Sequence, residues 1–157
     1  MFPWIDRELV RAIHDRQLAE HGGASGVRED GLLESALARR RPMFAYSERE
    51  ADVVDLAVAL AYGLARNHPF VDGNKRTALV SCETFIELNG AMLDANDADL
   101  FPLVLALADG RLAANEFAGW LRSHLRVTGV HEPTTSYVVR KRAPATRKTP
   151  RRTVKAK

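Results

Sequence analysis

Apolar positions along the chain recur at intervals of three and four, broken by Gly, Asp and Asn, with little of the strict alternation that marks strands. The segment DRELVRAIHDRQLAEHGG places Leu9, Ile13 and Leu18 roughly on one face. It begins at Asp6, a side chain able to accept from unpaired first-turn N–H groups, and stops at Gly22 and Gly23. GLLESALARR predicts a short second helix with Asp30 as its cap. EADVVDLAVALAYGLARN is apolar almost all round, the signature of a central buried helix rather than a surface one. NKRTALVSCETFIELNG carries Leu79, Cys82 and Ile86 along one stripe and ends at Asn89 and Gly90. Two more helices follow in DADLFPLVLALADG and AANEFAGWLRSHL. The first is capped by Asp97 or Asp99, and the second sends Phe117, Trp120, Leu121 and Leu125 into the core. Extended structure is expected only in RPMFAYSE, as a short hairpin between helices. The fold class is therefore all-α.

The 157 residues, 46% of them apolar, are enough for one domain with a core that needs no staples. The net charge of +3 hides a division. Residues 1–132 carry 14 Lys and Arg against 20 Asp and Glu, a net −6, whereas residues 133–157 carry nine cations and no acid. A domain over residues 1–128 followed by a basic, disordered tail over residues 129–157 is the expected organisation. That tail reads either as a solvated segment or as a weak, nonspecific contact to nucleic acid, which a run of like charge supplies without sequence readout. Cys82 is the lone cysteine, the N-terminal MFPWIDRELV has no signal-peptide pattern, and even VVDLAVALAYGLA is interrupted by Asp55 and Gly63. These features point to a reducing, cytoplasmic setting with no membrane segment.

Candidate chemistry concentrates in NHPFVDGNKRTAL, between the most buried helix and the next. Gly73 and Asn74 open a helix there, whose first-turn N–H groups are unpaired and whose dipole is positive at that end. A phosphate suits such a place. Gly73 permits close approach, Asn74 caps the helix or contacts the anion, and Lys75 and Arg76 add side-chain charge. Asp72 would repel a bare phosphate, yet it is apt as the ligand of a Mg²⁺ that bridges to phosphate oxygens. His68 can accept a proton near neutral pH. Taken singly, each has a plain structural role: His68 as a partner of a helix C-terminus, Asp72 as a loop acid, Asn74 to Arg76 as a solvated helix start, Phe70 as an apolar plug. The combination within nine residues is what reads as a phosphate site beside a base.

HPFVDGNKR resembles the signature of the Fic/Doc superfamily, written HPFxxGNGR in its Fic branch and HxFxxxNKR in its Doc, or death-on-curing, branch. GVREDGLLESALARR, LAYGLARNHPFVDGNKRTAL and FIELNG are similar to Doc-type proteins in the expected order, over about residues 5–125. The resemblance implies a Fido-type helical bundle with a short β-hairpin flap, placed at about residues 42–47, that aligns a target peptide. It implies His68 as the general base acting on a target hydroxyl, Asp72 as the Mg²⁺ ligand, and Gly73, Asn74, Lys75 and Arg76 as the nucleotide phosphate site. Lys75 stands where the Fic branch has Gly, and Leu79 where many of its members have a second Arg. Both departures are Doc-like.

The Doc branch holds ATP reversed, so that the terminal phosphate is transferred rather than AMP. The resemblance thus implies a Mg²⁺- and ATP-dependent protein kinase, the toxin of a toxin–antitoxin pair, acting on a threonine of elongation factor Tu and neutralised by a cognate antitoxin. Fic proteins are often blocked by an inhibitory (S/T)xxxE(G/N) helix. TGVHEP offers Thr128 and Glu132 at that spacing, but Pro133 fills its last position and Leu79 cannot pair with the Glu. The alternatives are a Fic-type protein adenylyltransferase and a non-catalytic binding module that keeps the loop as structure.

Overall fold

The chain was analysed as a computed structural model, which describes residues 4–38 and 51–128. Helix α1 (Arg7–His21) starts where the Asp6 carboxylate accepts from Leu9 N–H at 2.9 Å and ends at Gly22, as its sequence predicts. Helix α2 (Asp30–Leu37) follows. Its N-cap is Glu29, with no side-chain cap bond, and Asp30 instead faces Arg7 of α1 at 2.8 Å. Asp30 is thus the first residue of the helix rather than its cap, a first-turn acid that complements the helix dipole.

Helix α3 (Val53–Asn67) is the central element. Val54, Val58, Leu60, Leu64 and the alanines 57, 59, 61 and 65 are all buried, and α3 packs against α2, α4, α5 and α6. Small side chains between the large ones let four neighbours approach one helix at once. Helix α4 (Asn74–Leu88) lies along it, burying Leu79, Cys82, Phe85 and Ile86. Burial pushes the Cys82 thiol pKa up, assisted by Glu83, so this cysteine is inert core. Burying each of these large apolar side chains contributes roughly 1.5–3 kcal/mol.

Helix α5 (Asp97–Asp109) is capped by Asn96, whose side-chain oxygen accepts from Asp99 N–H at 2.9 Å. Asp97 and Asp99 are first-turn residues that complement the helix dipole, not the cap. Helix α6 (Ala114–Ser123) buries Phe117 and Leu121, half-buries Trp120, and ends before Leu125. Arg122 near its end reaches Asp52 and Asp55 at the start of α3, at 2.9 and 2.8 Å.

Leu125 belongs to a strand. Strand β1 (Ala91–Leu93) pairs antiparallel with β2 (Leu125–Val127), in the register Ala91 with Val127 and Leu93 with Leu125. This extended pair was not foreseen, because three residues are too few to show alternation and both segments continue helical patterns. The all-α class stands, with six helices and this small sheet among the described residues. The expected hairpin at residues 42–47 and the basic tail lie outside the described residues. Among the described residues, no helix is long and apolar enough to cross a membrane.

The cap assignment is checkable. Asn96→Ala should lower the free energy of unfolding by about 1 kcal/mol in urea denaturation, while Asp97→Ala should cost less, since only a dipole interaction and a long, exposed contact with Arg76 are lost. Equal losses would return the cap to the acids.

Candidate active site

The loop between α3 and α4 begins and ends in left-handed backbone. His68 has φ 50° and ψ 56°, the only non-glycine positive φ among the described residues, and Gly73 has φ 78°. Gly73 is favoured there by its left-handed φ and not by lack of space, since a Cβ would meet only ordinary contacts from Leu18 and His14. His68 is followed by Pro69, which further restricts it.

Three grips hold this strained end. Arg28 donates from Nε to the His68 carbonyl at 2.9 Å and from a terminal nitrogen to the Asn67 carbonyl at 3.1 Å. A cation there also complements the negative end of α3. The backbone of residues 26–28 runs antiparallel to the loop: Arg28 N–H donates to Pro69 at 2.7 Å, Val71 N–H to Gly26 at 3.0 Å. From inside, Asn74 accepts from Phe70 N–H at 2.9 Å and donates to Phe70 C=O at 3.0 Å. The Asn74 amide is therefore occupied as a loop clamp, and its backbone N–H is what it presents at the helix start.

His14, buried on α1, stacks on Phe70 with 3.8 Å between centroids and donates from Nε2 to the Asp72 carbonyl at 2.7 Å. Phe70 itself is buried, the apolar plug that its sequence context suggests. The Asp72 carboxylate is exposed and held by backbone: Oδ1 accepts from Gly73 N–H at 2.8 Å and Oδ2 from Ala24 N–H at 3.3 Å. Gly23 sits so close that a Cβ would come within 2.8 Å of Oδ2. Each oxygen accepts one bond, which leaves lone pairs for another ligand.

Among the described residues no group of three or more His, Cys, Asp or Glu could hold a metal. A single oriented carboxylate fits magnesium of the kind that takes the rest of its shell from water and substrate phosphates. It does not fit a cage of protein ligands.

His68, Asp72, Gly73, Asn74, Lys75 and Arg76 all line one cavity of about 420 Å³. The first-turn N–H groups of α4 open into it; the first N–H turned back into the helix is that of Thr77, bonded to Gly73 C=O at 3.0 Å. Arg76 is aimed by α5, with Phe101 under its guanidinium at 4.3 Å and Asp97 at 3.9 Å. The pKa of His68 is lowered from 6.5, first by partial burial and then by Lys75, Arg28 and Arg66. Its neutral, proton-accepting form therefore holds at pH 7. Leu79, where a second arginine stands in many Fic proteins, is wholly buried in the core.

The family model described as the Fic/DOC family matches residues 4–86. The chain belongs to the Fic/DOC family. Among curated relatives it is similar to Protein kinase doc of Escherichia phage P1, 31% identical over 118 residues that cover 75% of this chain and 92% of the relative. It is also similar to Toxin Doc of Mycolicibacterium smegmatis, 44% identical over 96 residues that cover 61% of this chain and 72% of the relative. The Fic/DOC match contains the whole loop and the grips on it.

Sequence reading missed Arg28, His14 and Phe101. Arg28 lies in GVREDGLLES, but nothing local shows that its partner is the end of α3. His14 was legible only as a polar residue on the inward face of α1.

Two outcomes follow from this geometry. Asn74→Ala leaves the Phe70 N–H without its partner and should destabilise the protein by roughly 1–3 kcal/mol, read by urea denaturation. Asn74→Asp keeps the acceptor and should cost less. The His68 imidazole, assigned in proton NMR as the signal missing from His68→Ala, should titrate below 6.5 in the unliganded protein, since burial and three cations disfavour its charged form. A midpoint at or above 6.5 contradicts that environment.

Proposed function

We propose that this chain is a Doc-like toxin of a toxin–antitoxin pair, a cytoplasmic protein kinase that transfers the γ-phosphate of ATP to a threonine of a translation factor of the elongation factor Tu class. The observation that carries the reading is the convergence of His68, Asp72 and residues 73–76 on one cavity. The similarity to a relative called a protein kinase and another called a toxin supports it.

In this reading the phosphate chain of ATP lies against the N–H groups of residues 74–76 and the side chains of Lys75 and Arg76. The target hydroxyl sits beside His68. The imidazole takes the hydroxyl proton while the oxygen forms a bond to the γ-phosphorus, and the bond from that phosphorus to the β–γ bridging oxygen breaks, releasing ADP with the electron pair. Asp72 would hold Mg²⁺, which neutralises phosphate charge when bound. Partial burial, and then Lys75, Arg28 and Arg66, disfavour the imidazolium that forms, and the bound triphosphate offsets the cations.

Lys75 favours γ over α transfer. A glycine there leaves room for the α-phosphate at the helix start, whereas Lys75 fills that space with a point charge. Leu79, buried in the core, leaves no arginine at the second Fic position. A cognate antitoxin would neutralise the toxin by docking a segment that folds upon it, and the acidic balance of residues 1–132 suits a basic partner.

Incubated with elongation factor Tu and ATP labelled separately at the α and γ positions, the protein should mark its target from the γ label alone, with a mass gain of one phosphate. His68→Ala should lower that rate roughly 10²–10⁴-fold with little change in ATP binding. Label from the α position would establish adenylyl transfer instead, and undiminished activity in His68→Ala would remove the base from the scheme.

A further inference from the structure

One stretch of chain, α1 and the turn after it, holds Asp72 at both ends. Within α1 the buried His14 ring bonds the Asp72 carbonyl at 2.7 Å. Just past the helix, Ala24 N–H donates to the carboxylate Oδ2 at 3.3 Å. With the main chain fixed by His14 and by the left-handed Gly73 that follows, the freedom left to the carboxylate is rotation about its own side-chain bonds.

Gly23 limits how that freedom is used. Its φ of 123° disfavours any side chain, but neighbouring Gly22 has φ 82° as well, with nothing beyond its chain neighbours within 4 Å of where a Cβ would stand. Backbone conformation alone accounts for glycine at 22. At 23 there is a second demand, for space: a Cβ would lie 2.8 Å from Asp72 Oδ2, 3.3 Å from Asp72 Cγ and 3.0 Å from Leu18 Cδ2. All three atoms belong to side chains that can turn aside, so a methyl group at 23 displaces the carboxylate rather than colliding with fixed backbone. The groups that orient a metal ligand matter to affinity nearly as much as the ligand itself. No cage of three or more such ligands exists among the described residues, so a misdirected Asp72 is not made good by others.

We propose that the turn after α1 positions the metal ligand: Gly23, by lacking a side chain, and Ala24, by its backbone N–H, set the orientation of the Asp72 carboxylate at the cavity. The inference rests on the reading of Asp72 as the Mg²⁺ ligand and adds what aims it.

The test uses Mn²⁺ as the probe, titrated into the isotope-labelled full chain, with paramagnetic broadening of the Gly73 amide signal giving the half-saturation concentration. Asp72→Asn sets the level expected without the ligand. Gly23→Ala should raise the half-saturation concentration roughly tenfold, the lower end of what orienting groups contribute, while Gly22→Ala should stay within about twofold of the parent. The second variant strains the same turn but puts its methyl group in open space. Parent-like binding by Gly23→Ala overturns the proposal. So does an equal loss in Gly22→Ala, which makes the conformation of the turn, and not the space at Oδ2, the cause. Equal binding by the parent and Asp72→Asn overturns the metal-ligand reading itself, and the inference with it. Should Gly23→Ala fail to fold, Ala24→Pro decides: it removes the N–H that Oδ2 accepts and should weaken Mn²⁺ by a similar factor, and parent-like binding there overturns the proposal.

Discussion

A buried helix must end, turn in six residues and feed the next helix without leaving its last carbonyls or the new helix's first N–H groups unpaired in an apolar surrounding. Here α3 ends through a left-handed histidine and α4 begins through a left-handed glycine. A non-glycine residue in that region costs on the order of 1 kcal/mol or more and persists only when its surroundings over-determine it. Arg28 from outside, Asn74 from within and His14 from α1 supply that determination. The same contacts that offset the strain aim His68 and Asp72 at one cavity, so loop stability and site geometry are one problem.

Electrostatics follows from the packing. The positive end of α4, Lys75 and Arg76 gather beside the end of α3, where Arg28 and Arg66 already stand. Such a concentration of positive potential suits a polyanion and adds to the partial burial that lowers the histidine's pKa. The Asp72 carboxylate is held by two backbone N–H groups rather than by an arginine. An arginine would have consumed its lone pairs; backbone donors orient it and leave capacity.

Much of this was legible in the chain. The cap at Asp6, the apolar wrap of α3 and the stripe on α4 are local patterns, and they were realised because local hydrogen bonds and burial favour the same outcome there. The six candidate site residues lie within nine positions, so the loop alone keeps them near one another. Two of the three misreadings share a cause. Asp30 opens α2 and pairs with Arg7 instead of capping it, Asn96 rather than an aspartate took the α5 cap, and Leu125 left a helical pattern for a strand with Ala91–Leu93. In two of these three, a partner distant in sequence decided between options that local chemistry left close in energy.

By itself, the sequence determined the helical class, the central place of α3, and the set of candidate site residues gathered in one loop, because periodicity and side-chain chemistry are properties of neighbouring residues. Tertiary structure decided how those residues are held and which remain available. Asn74 became a clamp, Arg28 and His14 became supports, and Arg76 was aimed by Phe101. None of these can be read from spacing. Apart from the Asn74 clamp, which reaches back only four residues, each depends on contacts between elements far apart in sequence, and only the packed fold sets which donors and acceptors meet.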